Sequence, residues 1–252
     1  MTEDDVFEAL AKTGVKRGDT LMIHGDAVIA AQLVKYPVNT RLNVLFDVIL
    51  AYLGPSGTLV IPAFTYSATK NQPFDVLKTQ SEIGQFSESF RNIYPQNRTH
   101  HPIFSVIAVG ARQDDFLNSS ITDCFGENTV FHRLHTQNAK LMNLGCDLML
   151  TFTHYCEQKF GVSYRYFKEF EGKIIDGGNL YKVITRYFVG KLNFAYALNL
   201  GKLKGVLLER KLLTCVSFGR FASYTVGAED YYRTCVELLA NNEFSLIEEG
   251  EK

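Results

Sequence analysis

Four apolar runs constrain this chain more than anything else in it: Thr20-Leu21-Met22-Ile23, Thr58 to Pro62, Phe104 to Val109 and Lys140 to Leu144. None alternates strictly between apolar and polar residues, so none reads as a strand with one wet face. Runs of this kind are strands covered on both faces. The segments between them carry helical spacing. Thr2 caps a first helix with Asp5 three residues later, and Val6, Leu10 and Val15 supply its apolar side. Helices also fit Asn43 to Leu53, Ile83 to Tyr94 and Thr151 to Phe160, and Gly54-Pro55-Ser56-Gly57 is a turn. The expected fold class is therefore α/β, with a central mixed sheet covered by helices.

The last third has a different texture. Strand-like runs recur over Gly172 to Phe194 and Leu203 to Tyr224, as in Tyr181 to Thr185 and Leu212 to Val216, and a closing helix fits Ala228 to Ala240. This predicts an antiparallel β-rich extension. No linker or internal repeat interrupts the chain, so residues 1–252 read as a single domain. Its parts would be an α/β core over 1–165, the extension over 166–225, and a closing helix and tail over 226–252. At 252 residues the chain can bury a large core.

Composition excludes several classes of function. The net charge is −1, with 26 basic and 27 acidic residues, so no general affinity for polyanions is implied. No apolar run approaches the ~20 residues of a membrane span. The start, M-T-E-D-D-V-F-E, is acidic and unlike a signal peptide. Five cysteines, an odd count without C-x-x-C spacing, suit reduced thiols and a cytoplasmic setting. H-E-x-x-H, G-x-S-x-G, the P-loop and G-x-G-x-x-G are all absent, so no metal site is expected. His132 and His135 share a helical face, but no third ligand accompanies them.

Four segments could carry chemistry. I-H-G-D-A lies at the carboxyl end of the first buried strand, facing the crevice where α/β proteins bind ligands. Its plain alternative is a strand-to-loop turn. N-R-T-H-H-P-I-F-S holds two adjacent histidines that extended backbone would point apart, so at most one faces a site. In F-G-E-N-T-V-F-H-R-L, Asn128 or Thr129 could cap a helix whose free N–H groups attract an anion. For both segments structural capping is the plainer reading. The fourth is T-F-T-H-Y-C-E, where His154 and Glu157 fall on one helical face. A carboxylate beside an imidazole sets its tautomer and stabilises the imidazolium formed on proton uptake, which is general-base chemistry. A surface pair at helical spacing would look the same in sequence.

Taken in order, these segments resemble the aminoglycoside 3-N-acetyltransferase family of antibiotic N-acetyltransferases. The matching pieces are G-D-T-L-M-I-H-G-D-A, L-G-P-S-G-T-L-V-I-P-A-F, I-G-Q-F-S-E-S-F-R, H-P-I-F-S, F-G-E-N-T-V-F-H-R-L, A-K-L-M-N-L-G and T-F-T-H-Y-C-E, with G-R-F-A-S-Y-T-V-G-A-E-D as a fainter one. The resemblance runs from about Gly18 to Leu239 and is weakest between Lys173 and Leu213. It implies direct attack of an amine on the thioester of acetyl-CoA or a longer acyl-CoA. The family's T-S-L-H-L-A-E motif falls on Thr151 to Glu157, which makes His154 the general base and Glu157 its carboxylate. A backbone N–H would steady the thioester oxyanion. The resemblance also carries the acyl-CoA cleft to His24, Gly25, Ala27, Ser105 and Thr129.

There are departures from the family pattern. Its H-S-S reads His24-Gly25-Asp26, and Asp26 would repel a phosphate, so it faces the acceptor amine or caps a helix. Thr129-Val130 replaces a serine-proline. The stretch Y-R-Y-F-K-E-F-E-G is aromatic and basic, so Tyr164, Arg165 and Lys168 are expected to bind the acceptor, with Tyr166 and Phe167 available for stacking. Acids are not concentrated, and Arg165, Lys168 and Lys173 suit an acceptor with negative charge. On that ground the expected acceptor is a nucleotide-linked amino sugar of surface polysaccharide synthesis. The alternatives are an aminoglycoside acceptor, or a non-catalytic protein that binds an acyl-CoA or a sugar. Tyr187 to Phe194 would offer exposed aromatics for a homo-oligomer contact.

Overall fold

The computed structural model describes residues 1–148, 150–192, 194 and 196–249. Glu3–Lys12 forms α1, and Thr2 and Asp5 make the reciprocal capping box that the sequence predicts. It is followed by β1 (Thr20–Gly25), α2 (Arg41–Leu53), β2 (Thr58–Pro62), β3 (Pro73–Asp75) and α3 (Gln85–Ile93). The middle of the chain supplies β4 (Val106–Gly110), α4 (Gln113–Leu117), α5 (Val130–Thr136), β5 (Lys140–Leu144) and α6 (Phe152–Phe160). The remainder is β6 (Arg165–Asp176), β7 (Asn179–Gly190), β8 (Tyr196–Leu198), α7 (Gly201–Glu209), β9 (Thr214–Phe218), β10 (Phe221–Gly227), α8 (Ala228–Asn241) and β11 (Ile247–Glu249).

The central sheet has six strands in the order β4-β2-β1-β5-β10-β9. β1 runs parallel to β2 and β5, whereas β4 and β10 pair antiparallel at the flanks. Both faces are covered, as the unalternated runs require. Leu21 and Ile23 of β1, Leu59 and Ile61 of β2 and Met142 and Leu144 of β5 pack with α1, α2 and α3. Their neighbours Met22, Val60 and Leu141 point the other way, into a core shared with α5, α6, α7 and α8. Successive side chains on a strand face opposite sides, so each run feeds two cores at once.

Late in the chain, β6 and β7, twelve residues each, form a hairpin that pairs through β6 with β3 in a separate three-stranded sheet. β9 and β10 join the central sheet instead. Two expectations need correction here. The start of Leu203 to Tyr224 is helical, because Leu203 and Leu207 at i, i+4 bury together on α7 while Lys202 stays exposed. The supposed exposed aromatics of Tyr187 to Phe194 are mostly covered. Phe188 is buried against Phe167, and Tyr187 packs edge-on against Phe104 at 5.2 Å. Asn193 in that stretch lies outside the described residues. Among the described residues no helix is long and apolar enough to cross a membrane.

Candidate active site

The carboxyl ends of β1, β2 and β5 come together at one edge of the sheet, the place where open α/β sheets bind ligands. A cavity of about 340 Å³ opens there, lined by His24, Gly25, Pro62, Asn143 and Thr151, with Phe64, Tyr66, Ile83, Ser87, Cys146 and Asp147 completing the wall. His24 and Asn143 are register partners on β1 and β5, so the sheet itself fixes their spacing. Burial pushes His24 down to about 4, so its imidazole is neutral at physiological pH. Its Nε2 lies 3.5 Å from Oγ1 of Thr151.

Thr151 immediately precedes α6, and one turn further on stands His154. Its backbone N–H donates to Thr151 O at 3.0 Å. His154 does not itself line the cavity and its side chain is 17% exposed. Nδ1 of His154 lies 2.6 Å from Oε2 of Glu157, as the i, i+3 spacing predicts. Glu157 is fully buried, which rules out an incidental surface pair. Tyr164 donates its hydroxyl to Oε1 of Glu157 at 2.8 Å, and Nε of Arg165 sits 2.9 Å from Oε2.

Burial alone would raise the Glu157 carboxyl, but the His154 hydrogen bond, the Arg165 charge and the Tyr164 hydroxyl outweigh it and hold it below the ordinary range. Burial likewise lowers the His154 imidazole, opposed by Glu157 and aided by Arg165. The arrangement is a buried, ionised carboxylate aligning a neutral imidazole. Nε2 of that imidazole takes no hydrogen-bond partner among the described residues, and Phe125 lies edge-on at 5.8 Å. An imidazole held this way can take a proton from an amine brought to Nε2.

Several residues expected at the site are elsewhere or otherwise engaged. Gly25 does line the cavity, but a Cβ there would come within 2.7 Å of the Phe86 ring, so the glycine serves close packing onto α3. Asp26 accepts from Val28 N–H at 2.9 Å and caps the turn Ala27–Gln32, one of its two expected roles. Ala27 lines a separate cavity of about 320 Å³ between that turn, α2 and α3.

Ser105 is fully buried, donating to Ala63 O at 2.6 Å and accepting from Arg98 Nε at 3.1 Å. Thr129 caps α5 by accepting from His132 N–H and donating to Gly126 O, so its hydroxyl is committed inside the fold. Tyr164 and Arg165 are buried against Glu157 and are not presented to an acceptor. Lys168 is exposed, its Nζ 5.0 Å above the Phe170 ring. His101 is buried and structural, with Nδ1 accepting from Ile103 and Phe104 N–H. His100 points outward and meets the Tyr181 hydroxyl at 3.1 Å.

Tyr66, Asn143, Cys146 and Asp147 are cavity residues that sequence reasoning did not single out. Asn143 carried a signal, as a polar residue inside an apolar strand. Tyr66 has φ of 54°, a left-handed conformation unusual for a bulky residue, and no local pattern announces it. Among the described residues no group of three or more histidine, cysteine, aspartate or glutamate side chains could hold a metal ion.

The family model for aminoglycoside 3-N-acetyltransferases matches residues 32–240. This chain belongs to the aminoglycoside 3-N-acetyltransferase family. An aminoglycoside N(3)-acetyltransferase IV from a Salmonella species is 26% identical over 119 residues, covering 46% of this chain and 42% of that relative. The match thus spans less than half of the curated relative. The fold is shared with AAC-IIIb solved as a binary complex with CoASH, at 19% identity and a TM-score of 0.79, covering 96% of this chain and 97% of that one. It is shared too with AAC-VIa bound to sisomicin, at 18% identity and a TM-score of 0.78, covering 96% and 98%.

These matches overturn the expected nucleotide-linked amino-sugar acceptor, because the family and the curated relative are aminoglycoside acetyltransferases. The expectation failed for a structural reason as well. Arg165, counted as a contact for a negative acceptor, neutralises Glu157 inside the protein.

Proposed function

We propose that this chain is an acetyl-CoA-dependent N-acetyltransferase acting on an aminoglycoside amine. The observation that carries the reading is the pairing of His154 with the fully buried Glu157, 2.6 Å apart, one helical turn from a cavity at the strand ends. Family membership and relatives solved with CoASH and with sisomicin support the two substrates. The cavity walls suit a pantetheine arm, with Pro62, Phe64 and Ile83 apolar and Ser87 and Thr151 able to hydrogen-bond an amide.

Acetyl-CoA supplies the acyl group as a thioester. The residues of this chain orient the acceptor and manage its proton. Glu157 holds Nδ1–H of His154, which leaves the lone pair of Nε2 for the proton of the attacking amine. Imidazolium formed in this way is stabilised by the same carboxylate, and its proton passes to the thiolate that leaves as the thioester C–S bond breaks. A cytoplasmic setting fits five free cysteines and a cytoplasmic co-substrate.

The test is release of free thiol from acetyl-CoA against a panel of aminoglycosides. Turnover on at least one is expected, and His154→Gln is expected to lose on the order of 10²- to 10⁴-fold in kcat while still binding CoA. A folded protein inert toward every acceptor, or unchanged turnover in that variant, sinks the reading. Binding of both ligands without turnover in the wild type would favour a non-catalytic protein.

A further inference from the structure

His154 has an unusual second neighbour. Besides Oε2 of Glu157, its Nδ1 meets Nη2 of Arg165 at 2.9 Å. One ring nitrogen thus faces an acceptor and a donor, and it cannot satisfy both at once, since a single position on Nδ1 holds either a proton or a lone pair. The guanidinium is pinned from behind, with Nη1 donating to Phe188 O at 3.0 Å and the Tyr196 ring 5.8 Å away. Arg165 is only 8% exposed. Its place is therefore built into β6 and β7.

A fully buried carboxylate requires a compensating positive charge. Two groups here can supply one: the Arg165 guanidinium, or His154 as imidazolium. We propose that Arg165 is a positioning residue that supplies the charge Glu157 needs, so that His154 stays a neutral base with its proton on Nδ1 and its lone pair on Nε2. Arg165 also makes a second positive charge on the ring costly, since that charge would form 2.9 Å from the guanidinium. Without it, Glu157 would hold His154 as imidazolium, unable to accept a proton.

The other polar groups around this pair leave the balance to Arg165. Tyr164, on the carboxylate, and Tyr187 and Tyr196, beside the guanidinium, are all pushed above the ordinary tyrosine range by burial and stay uncharged. Phe125 faces the ring itself. Burial and the Arg165 charge both act to lower the His154 imidazole, with Glu157 opposing them. The role of Arg165 in catalysis rests on the acetyltransferase reading; its effect on the protonation of His154 does not.

The experiment is an NMR titration of ¹⁵N-histidine-labelled protein, with the His154 signals assigned by His154→Gln. The wild-type midpoint should lie below 6.5. Arg165→Met should raise it by on the order of one pH unit, and Arg165→Lys should stay near the wild type. If Arg165→Met does not fold, Glu157→Gln and the double variant Glu157→Gln/Arg165→Met make the same comparison with no buried carboxylate left unpaired, and the double variant should have the higher midpoint. Coincident midpoints within either pair overturn the proposal.

Kinetics give a second readout. The acid limb of kcat/KM should move to higher pH in Arg165→Met, so that the deficit is large at pH 6.5 and shrinks by pH 8.5. A deficit of the same size at every pH marks a structural role and overturns the proposal. Absence of turnover with every acceptor overturns the acetyltransferase reading while leaving the midpoint comparison intact, so the two failures are distinguishable.

Discussion

At the scale of single residues, protonation governs how this protein responds to pH. His101 is buried, and its Nδ1 accepts two backbone N–H groups at 3.1 and 3.0 Å while Nε2 meets Asp123 O at 3.3 Å. Only the neutral ring protonated on Nε2 satisfies all three. Burial pushes His101, like His24, down to about 4, against 6.5 when unfolded. Between those values the unfolded chain binds more protons than the folded one, so stability rises with pH through that window. Urea denaturation is expected to show stability falling as pH drops from 6.5 toward 4, with net proton uptake on unfolding. A flat profile there would contradict both assignments. Tyr164→Phe removes one hydrogen bond to a buried carboxylate and should cost about 1.5–3 kcal/mol in the same assay. His154 and Glu157 were legible at this scale because i, i+3 spacing on a helix is local. Tyr164 and Arg165 were read as acceptor contacts because nothing in Y-R-Y-F-K shows which side chains turn inward.

At the scale of elements, the contact between β1 and α3 shapes the mouth of the cavity. Gly25 ends β1 where Phe86 crosses it, and an added Cβ would lie 2.7 Å from the ring. Gly25→Ala should destabilise by about 1–3 kcal/mol through overpacking, and adding Phe86→Leu should recover part of that loss. A double variant no more stable than Gly25→Ala alone would show that the strain lies elsewhere. The carboxyl end of α6 is set by Gly161 at φ of 83°, with open space around its Cα. Gly161→Ala should therefore cost only the backbone strain, about 1 kcal/mol by thermal denaturation. Element boundaries were legible where punctuation marked them, as at Thr2 and at Gly54-Pro55-Ser56-Gly57. The helix Gly201–Glu209 was not, because Leu203, Val206, Leu207 and Leu208 suit a strand or a helix equally until a partner surface chooses.

At the scale of the whole molecule, the helix bearing His154 and Glu157 is braced by the far end of the chain. Tyr231 of α8 is fully buried and shares a 2.7 Å hydrogen bond with the Thr153 hydroxyl of α6, while Cys235 and Leu239 fill the same core. Tyr231→Ala should cost about 3–5 kcal/mol of stability by chemical denaturation and lower acetyl transfer through the displaced α6. A fully stable, fully active variant would separate α8 from the site. The pattern of residues alone determined the strands buried on both faces, the helices over them, and the placing of one histidine and one carboxylate on a shared helical face. Each of these follows from spacing within about a dozen residues, where backbone geometry leaves few choices. Tertiary structure alone decided that Arg165 would neutralise Glu157, that Ser105 would be consumed inside the fold, and that Tyr66, Asn143 and Cys146 would line the cavity. Those outcomes depend on which distant surfaces meet, and a buried charge takes its partner from whatever the packing brings within reach.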